Sequence, residues 1–248
     1  MHDLSVRNLL TIPALEGQSG IRHCFTTRQN GLGSRTGGVK MPGDWDDVAR
    51  HLGIDPDRLV TVNQVHGDEI VVATESNFRD ITARQADGIV TGASQIAIGV
   101  ETADCVPVLL YDPRGPAVAA VHAGWRSTVQ QILAKALARM QHEFGSDPSR
   151  VLAAIGPAIG PECYEVDEPV MGPVRSAFPF WKDASAARGN GRFSLDLVKL
   201  NRIALVHAGL REEHIQSLGL CTSCRRDLFY SFRAEGRTGR MLSAVMIG

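Results

Sequence analysis

From Thr61 to Val121 the apolar residues come in short blocks separated by turn-forming residues, and beyond Thr128 they take up a helical spacing. Thr61–Val72 alternates and is rich in valine, which predicts two short strands joined at His66-Gly67-Asp68. Further strands are expected over Ala86–Thr91 and, after the turn Gly92-Ala93-Ser94, over Ile96–Val100. Cys105–Tyr111 is a nearly continuous apolar run closed by Asp112-Pro113-Arg114-Gly115-Pro116, and Ala117–Val121 resumes as a strand of small residues. The period then changes. Val129, Ile132, Leu133, Ala136, Leu137, Met140 and Phe144 form the apolar stripe of an amphipathic helix. Ser127 or Thr128 stands where it can cap that helix, and Gly145 where it can stop it. A buried strand is predicted over Val151–Ile155, a helix over Leu195–His207 with Gly209 beyond its end, and two late strands over Leu228–Phe232 and Met241–Ile247. The glycine-rich segment Gln29–Asp44 reads as a surface loop. Strands with a few helices, without regular βαβ alternation or an internal repeat, predict an α+β fold in a single domain spanning 1–248.

Composition narrows the function. The 248 residues are 44% hydrophobic and 21% charged, enough for a substantial core. Twenty-six basic against 27 acidic side chains give a net charge of −1, which argues against a nucleic-acid partner because phosphates call for a basic excess. No apolar run approaches the ~18–20 residues of a membrane span, and the N-terminus lacks the pattern of a secretion signal. A cytoplasmic protein without a membrane partner is expected. Five cysteines, an odd number, do not suggest a disulfide scaffold. Cys24 and Cys163 lie beside apolar or proline-rich sequence and read as buried or inert thiols. None of the eight histidines is spaced as H-x-H or H-x-x-x-H, so a metal site must draw its ligands from separate segments.

Three segments place such a ligand where an expected strand meets a turn: Gln64-Val65-His66-Gly67, Thr102-Ala103-Asp104-Cys105 and Val121-His122-Ala123-Gly124-Trp125-Arg126. Two imidazoles and a thiolate suit Zn²⁺ with a fourth position open to water or substrate. The same atoms allow a different chemistry. Cys105 could be a nucleophile with His122 as its base, oriented by Asp104 or Glu101, as in an amide hydrolase or deamidase. Spacing supports both equally. Cys221-Thr222-Ser223-Cys224 is a C-x-x-C that fits half a zinc knuckle, a redox pair or two thiols on a turn. Arg225, Arg226, Arg233, Arg237 and Arg240 crowd the C-terminal stretch, where their forks could meet an anionic substrate or form a solvated face.

Six motifs occur in order: QVHG at 64–67, ADGIVT at 86–91, TADCVPVLLYD at 102–112, AAVHAGWR at 119–126, AAIGPAIGPECYEV at 153–166 and CTSCRRDLFYSFRAEGRTGR at 221–240. Jointly they resemble the laccase-domain family, also known as YfiH-type or multicopper polyphenol oxidoreductase-like proteins. The resemblance implies an α/β sandwich of intertwined mixed β-sheets flanked by helices. It implies zinc held by His66, Cys105 and His122. It also implies phosphorolysis of adenosine, inosine and methylthioadenosine, together with adenosine deamination. Older naming makes such proteins copper-dependent polyphenol oxidases, some members are linked to peptidoglycan-precursor editing, and the fold is similar to a deamidating toxin with a Cys–His pair.

Chemistry weighs these implications. A multicopper oxidase needs paired H-x-H ligands, which this chain lacks, so Cu²⁺ is the weaker expectation beside Zn²⁺. Zinc deamination needs a positioned acid–base group, for which Glu101 and Asp104 are candidates. Phosphorolysis needs an anchor for orthophosphate, for which Arg126, Arg233 or Arg240 would serve, with Gln64 a further substrate-binding residue. The chain departs from the family pattern ahead of QVHG, where an Asn-Arg pair is missing, and at Ser127, where glycine commonly follows HAGWR. The departures leave a non-enzymatic metal-binding protein as a further alternative. A monomer or weak homodimer taking a purine nucleoside and phosphate is the expected working form.

Overall fold

The computed structural model describes residues 9–29 and 45–248, so the loop expected over Gln29–Asp44 lies outside the described residues beyond Gln29. The expected α/β sandwich is present. A six-stranded mixed sheet carries the strands in the order Ile215–Ser217, Leu152–Ile155, Val106–Asp112, Ala117–Ala123, Gly88–Thr91 and Ile70–Val72. Its two edge pairings are parallel and the rest antiparallel. A four-stranded sheet lies across it in the order Ile21–Phe25, Met241–Ile247, Ala97–Thr102 and Leu59–Val60. A small sheet joins Ser185–Gly189, Arg192–Leu195 and Glu165–Val166.

The layers follow from side-chain alternation. Along Val106–Asp112 every residue is buried. Val106, Val108 and Leu110 face one way, onto the helices Ile132–Phe144, Glu168–Ala177 and Leu197–His207. Leu109 and Tyr111 face the other way, onto Ile98, Val100 and Val245 of the four-stranded sheet. That sheet's outer face, with Cys24, Ala97, Leu242 and Met246, is closed by Trp45, Val48 and Leu52 at the helix Asp46–Leu52. Among the described residues no helix is long and apolar enough to cross a membrane.

Four local expectations are corrected. Thr61–Val72 is not a pair of joined strands: only Ile70–Val72 is strand, preceded by the two-residue strand Leu59–Val60. Residues 61–69 form a loop, because the amides around His66 donate to a buried carboxylate rather than to a neighbouring strand. The helix expected from Val129 is broken into Trp125–Val129 and Ile132–Phe144, with Gln131 between them at φ 63°. Neither Ser127 nor Thr128 caps it; Gly124 precedes the first piece, and Thr128 turns inward to hydrogen-bond Asn201. Leu228–Phe232 is not a strand but a turn, after which the Ser231 hydroxyl accepts from the Ala234 amide to cap the short helix Phe232–Glu235. Cys24 is buried as expected, with burial pushing its thiol up to about 12. Cys163, by contrast, is partly exposed.

Candidate metal centre and substrate cavity

Register brings the candidate ligands together. Val106 pairs with Ala123 in the antiparallel hairpin, so Cys105 and Gly124 adjoin at its open end. Gly88 pairs with Val121 on the other side, and the His122 amide donates to the Asp87 carbonyl at 2.8 Å. Three residues from three segments therefore meet at one sheet end. His66 reaches them from the 61–69 loop, which turns there with His66 at φ 59°.

Asp87 holds that loop in place. The amides of Val65, His66 and Gly67 donate to its carboxylate at 3.2, 2.9 and 2.6 Å. The same carboxylate accepts from His122 Nδ1 at 2.7 Å. Burial would push the Asp87 carboxyl up, but the hydrogen bond and charge of His122 and the amides of Gly67 and Val65 hold it below its ordinary value. An ionised carboxylate only accepts, so Nδ1 of His122 carries a proton and Nε2 is the ring nitrogen left to face Cys105. Carboxylate support of a ligating imidazole is the usual outer layer of a metal site. Asp87 stands in the ADGIVT motif yet drew no role from the sequence; an acidic residue opening an otherwise apolar strand was the available signal.

His66 Nε2 lies 4.0 Å from Cys105 Sγ, and the two imidazole rings meet edge to face at 4.9 Å between centroids. One donor atom from each of His66, Cys105 and His122 falls within 4.8 Å of the others. Gly124 makes room for them: a Cβ there would come within 3.1 Å of Cys105 Sγ and 3.2 Å of His66 Cδ2. Burial pushes the Cys105 thiol up, but the charges and hydrogen bonds of His122 and His66 outweigh it and bring it down to about 6. Burial pushes His122 down, and the Cys105 thiolate and Asp87 outweigh it to bring His122 up to about 9. The cluster favours a thiolate beside a protonated imidazole, the charge pair of an activated thiol, and a cation bound there would take the place of that proton.

The cluster opens on a cavity of about 1220 Å³ that all nine candidate residues of the metal and substrate sites line. They stand there differently. The Gln64 side chain spans to the strand Ala97–Thr102, donating to the Glu101 carbonyl at 2.8 Å and accepting from its amide at 2.7 Å. Both oxygens of the buried Asp104 carboxylate are engaged, one by the Thr222 hydroxyl and one by the Arg233 amide, each at 2.6 Å. Arg233 donates to the Glu165 carbonyl at 2.8 Å and lies over the Tyr164 ring, while Arg240 donates to the carbonyls of Thr238 and Gly239. The Arg126 guanidinium stacks on Trp125 at 4.4 Å, and no carboxylate of the described residues forms an ion pair with it. Trp125, Tyr164 and the exposed Phe232 add an aromatic wall that the sequence reading did not single out.

The family model described as multi-copper polyphenol oxidoreductase laccase matches residues 40–248. The purine nucleoside phosphorylase YlmD of Bacillus subtilis (strain 168) is 37% identical over 207 residues, covering 80% of this chain and 74% of that protein. The adenosine deaminase RL5 of an unknown prokaryotic organism is 36% identical over 207 residues, covering 80% and 78%. The crystal structure of the Bacillus licheniformis hypothetical protein YfiH superposes with a TM-score of 0.90 at 32% identity, covering 99% of this chain and 98% of that one.

Proposed function

The chain belongs to the multi-copper polyphenol oxidoreductase laccase family, and from that premise we propose that it is a zinc-dependent purine nucleoside phosphorylase acting on adenosine, inosine and methylthioadenosine, with adenosine deaminase activity. The convergence of His66, Cys105 and His122 on the wall of a cavity that also holds Arg126 is the observation that carries this reading. The donor set fits one ion. A multicopper oxidase would need several more imidazoles, and among the described residues no group of possible ligands holds a histidine besides His66 and His122. Zinc held by His66, Cys105 and His122 would supply Lewis-acid polarisation at an open coordination position.

The chain's own groups divide the remaining work. Phosphorolysis forms a bond from ribose C1′ to a phosphate oxygen and breaks the bond to the purine, which leaves with the electron pair and takes up a proton. Arg126, which pairs with no carboxylate among the described residues, anchors the phosphate through its planar fork. Trp125, Tyr164 and Phe232 offer ring faces to the purine. With both Asp104 oxygens engaged, Asp104 acts as a positioning residue for Arg233, and proton transfer falls to Glu101.

A second reading has its own support in the placing of Cys105 beside His122, whose ring Asp87 orients: amide hydrolysis by a Cys105–His122 pair. One experiment separates the two. Metal content is measured beside phosphate-dependent release of free base and ribose 1-phosphate, with and without chelator. Turnover that needs phosphate and is lost in chelator and in both His66→Ala and Cys105→Ala supports the phosphorylase. Full turnover in both variants overturns the ligand assignment, and an enzyme fully active without metal favours the thiol hydrolase.

A further inference from the structure

A second group of soft ligands lies on the far side of Asp104. Cys221 and Cys224 sit on one tight turn, and Cys163 comes to them from the glycine- and proline-rich loop 156–164. Cys163 Sγ and Cys224 Sγ are 3.3 Å apart, far beyond the ~2.05 Å of a disulfide, and all three sulfurs lie within 4.8 Å of one another. All three are free cysteines. A tetrahedral zinc with Zn–S bonds of about 2.3 Å separates its sulfurs by about 3.8 Å, which falls inside that range. The backbone around the cluster suits bound thiolates. The Gly160 amide donates to Cys221 Sγ at 3.1 Å, and the amides of Ser223 and Cys224 also reach that sulfur. Donors aimed at sulfur stabilise the charge a thiolate ligand carries.

From this geometry we propose that Cys163, Cys221 and Cys224 form a second metal site, a three-thiolate centre for Zn²⁺, separate from the His66–Cys105–His122 cluster. Each thiol loses its proton to solvent as its sulfur–zinc bond forms, and no electrons are exchanged. Cys224 is exposed, so the fourth position faces water. The centre is a clamp on the wall of the cavity. The loop that bears Cys163 also bears Ile159 and Tyr164, which line the cavity, and Ala158 bridges to Cys221. The turn that bears Cys221 and Cys224 bears Thr222, whose hydroxyl holds Asp104 next to Cys105. Zinc between the two segments fixes the wall beside the first cluster without touching its three residues.

Alkylation mapping on the reduced wild-type protein tests the site with Zn²⁺ as the probe and needs no variant to fold. At zinc about ten times its dissociation constant, Cys163, Cys221 and Cys224 should each react about tenfold more slowly than in chelator. The protection should persist in Cys105→Ser, and hydrogen exchange at 156–164 and 221–224 should slow with it. Elemental analysis should show one equivalent of zinc lost in Cys224→Ser and in Cys163→Ser, with the equivalent that depends on Cys105 retained. Equal alkylation of the three thiols with and without zinc would overturn the proposal, and so would a Cys163–Cys224 disulfide as the resting state. Failure of the phosphorylase assay would leave these readouts untouched.

Discussion

His122 and Asp87 form a buried pair: the imidazole Nδ1 donates to the carboxylate at 2.7 Å, with side chains 4% and 0% exposed. The carboxylate that fixes this ring also fixes the loop bearing His66. Asp87→Asn keeps the shape and removes the charge, and an amide cannot accept from every one of those donors. Zinc affinity, measured by competition with a chromogenic chelator, should fall by about 10–100-fold. A variant binding within about twofold of wild type would remove Asp87 from the support of the site.

Gly124 has φ −67°, a value open to any residue, so Gly124→Ala probes space rather than backbone strain. Its methyl group would press on Cys105 Sγ and His66 Cδ2. Overpacking of this kind costs about 1–3 kcal/mol. Metal affinity should drop while the fold persists, seen as an unchanged far-ultraviolet spectrum beside reduced zinc content. Undiminished zinc content would mean that the three ligands do not close on the space above Gly124.

The proposed function gives Arg126 to phosphate and not to the nucleoside. A charged hydrogen bond contributes about 1.5–3 kcal/mol, so Arg126→Gln should raise KM for phosphate by about tenfold or more and leave KM for inosine nearly constant. Arg126→Lys should recover part of the loss through charge alone. Equal rises in both KM values would point to a general disturbance of the cavity.

His23 supplies a pH dependence remote from the site. Burial is the main cause that lowers its pKa from 6.5 to about 4, against the charge of Glu16 and with that of His51. The Ile12 amide donates to its Nε2 at 2.8 Å, which requires that nitrogen unprotonated. Below pH 6.5 the unfolded chain binds a proton that the folded one refuses, so stability should fall on acidification towards pH 4, by about 3 kcal/mol at most. Denaturant titrations at pH 7 and pH 4.5 should show this slope in wild type and a shallower one in His23→Asn. Parallel slopes would refute it.

The central strands were legible because each is buried on both faces and leaves an apolar run bounded by turns, as in Val106–Asp112 and Ala117–Ala123. His66, Cys105 and His122 were legible as candidates through their motifs, while their convergence depended on strand register, which no single segment encodes. The 61–69 loop was misread as strand because valine alternation is identical whether an amide pairs with a strand or with the Asp87 side chain. The break at Gln131 leaves the apolar stripe of Ile132–Phe144 in step, so periodicity alone could not reveal it. Cys163 reads as buried or inert from its proline-rich neighbours, and its approach to Cys224, some sixty positions away, lies beyond any local pattern.

Cys105 and His122 belong to one hairpin whose connection, between Asp112 and Ala117, lies at the opposite end of its strands. At about 3.3 Å per residue, that places the bend roughly 20 Å from Cys105 and His122. Evolution or an engineer can therefore lengthen the bend, attach a reporter there or recolour its charge while the chemistry stays in register. Of the trio, only His66 has to be delivered by a separate part of the chain.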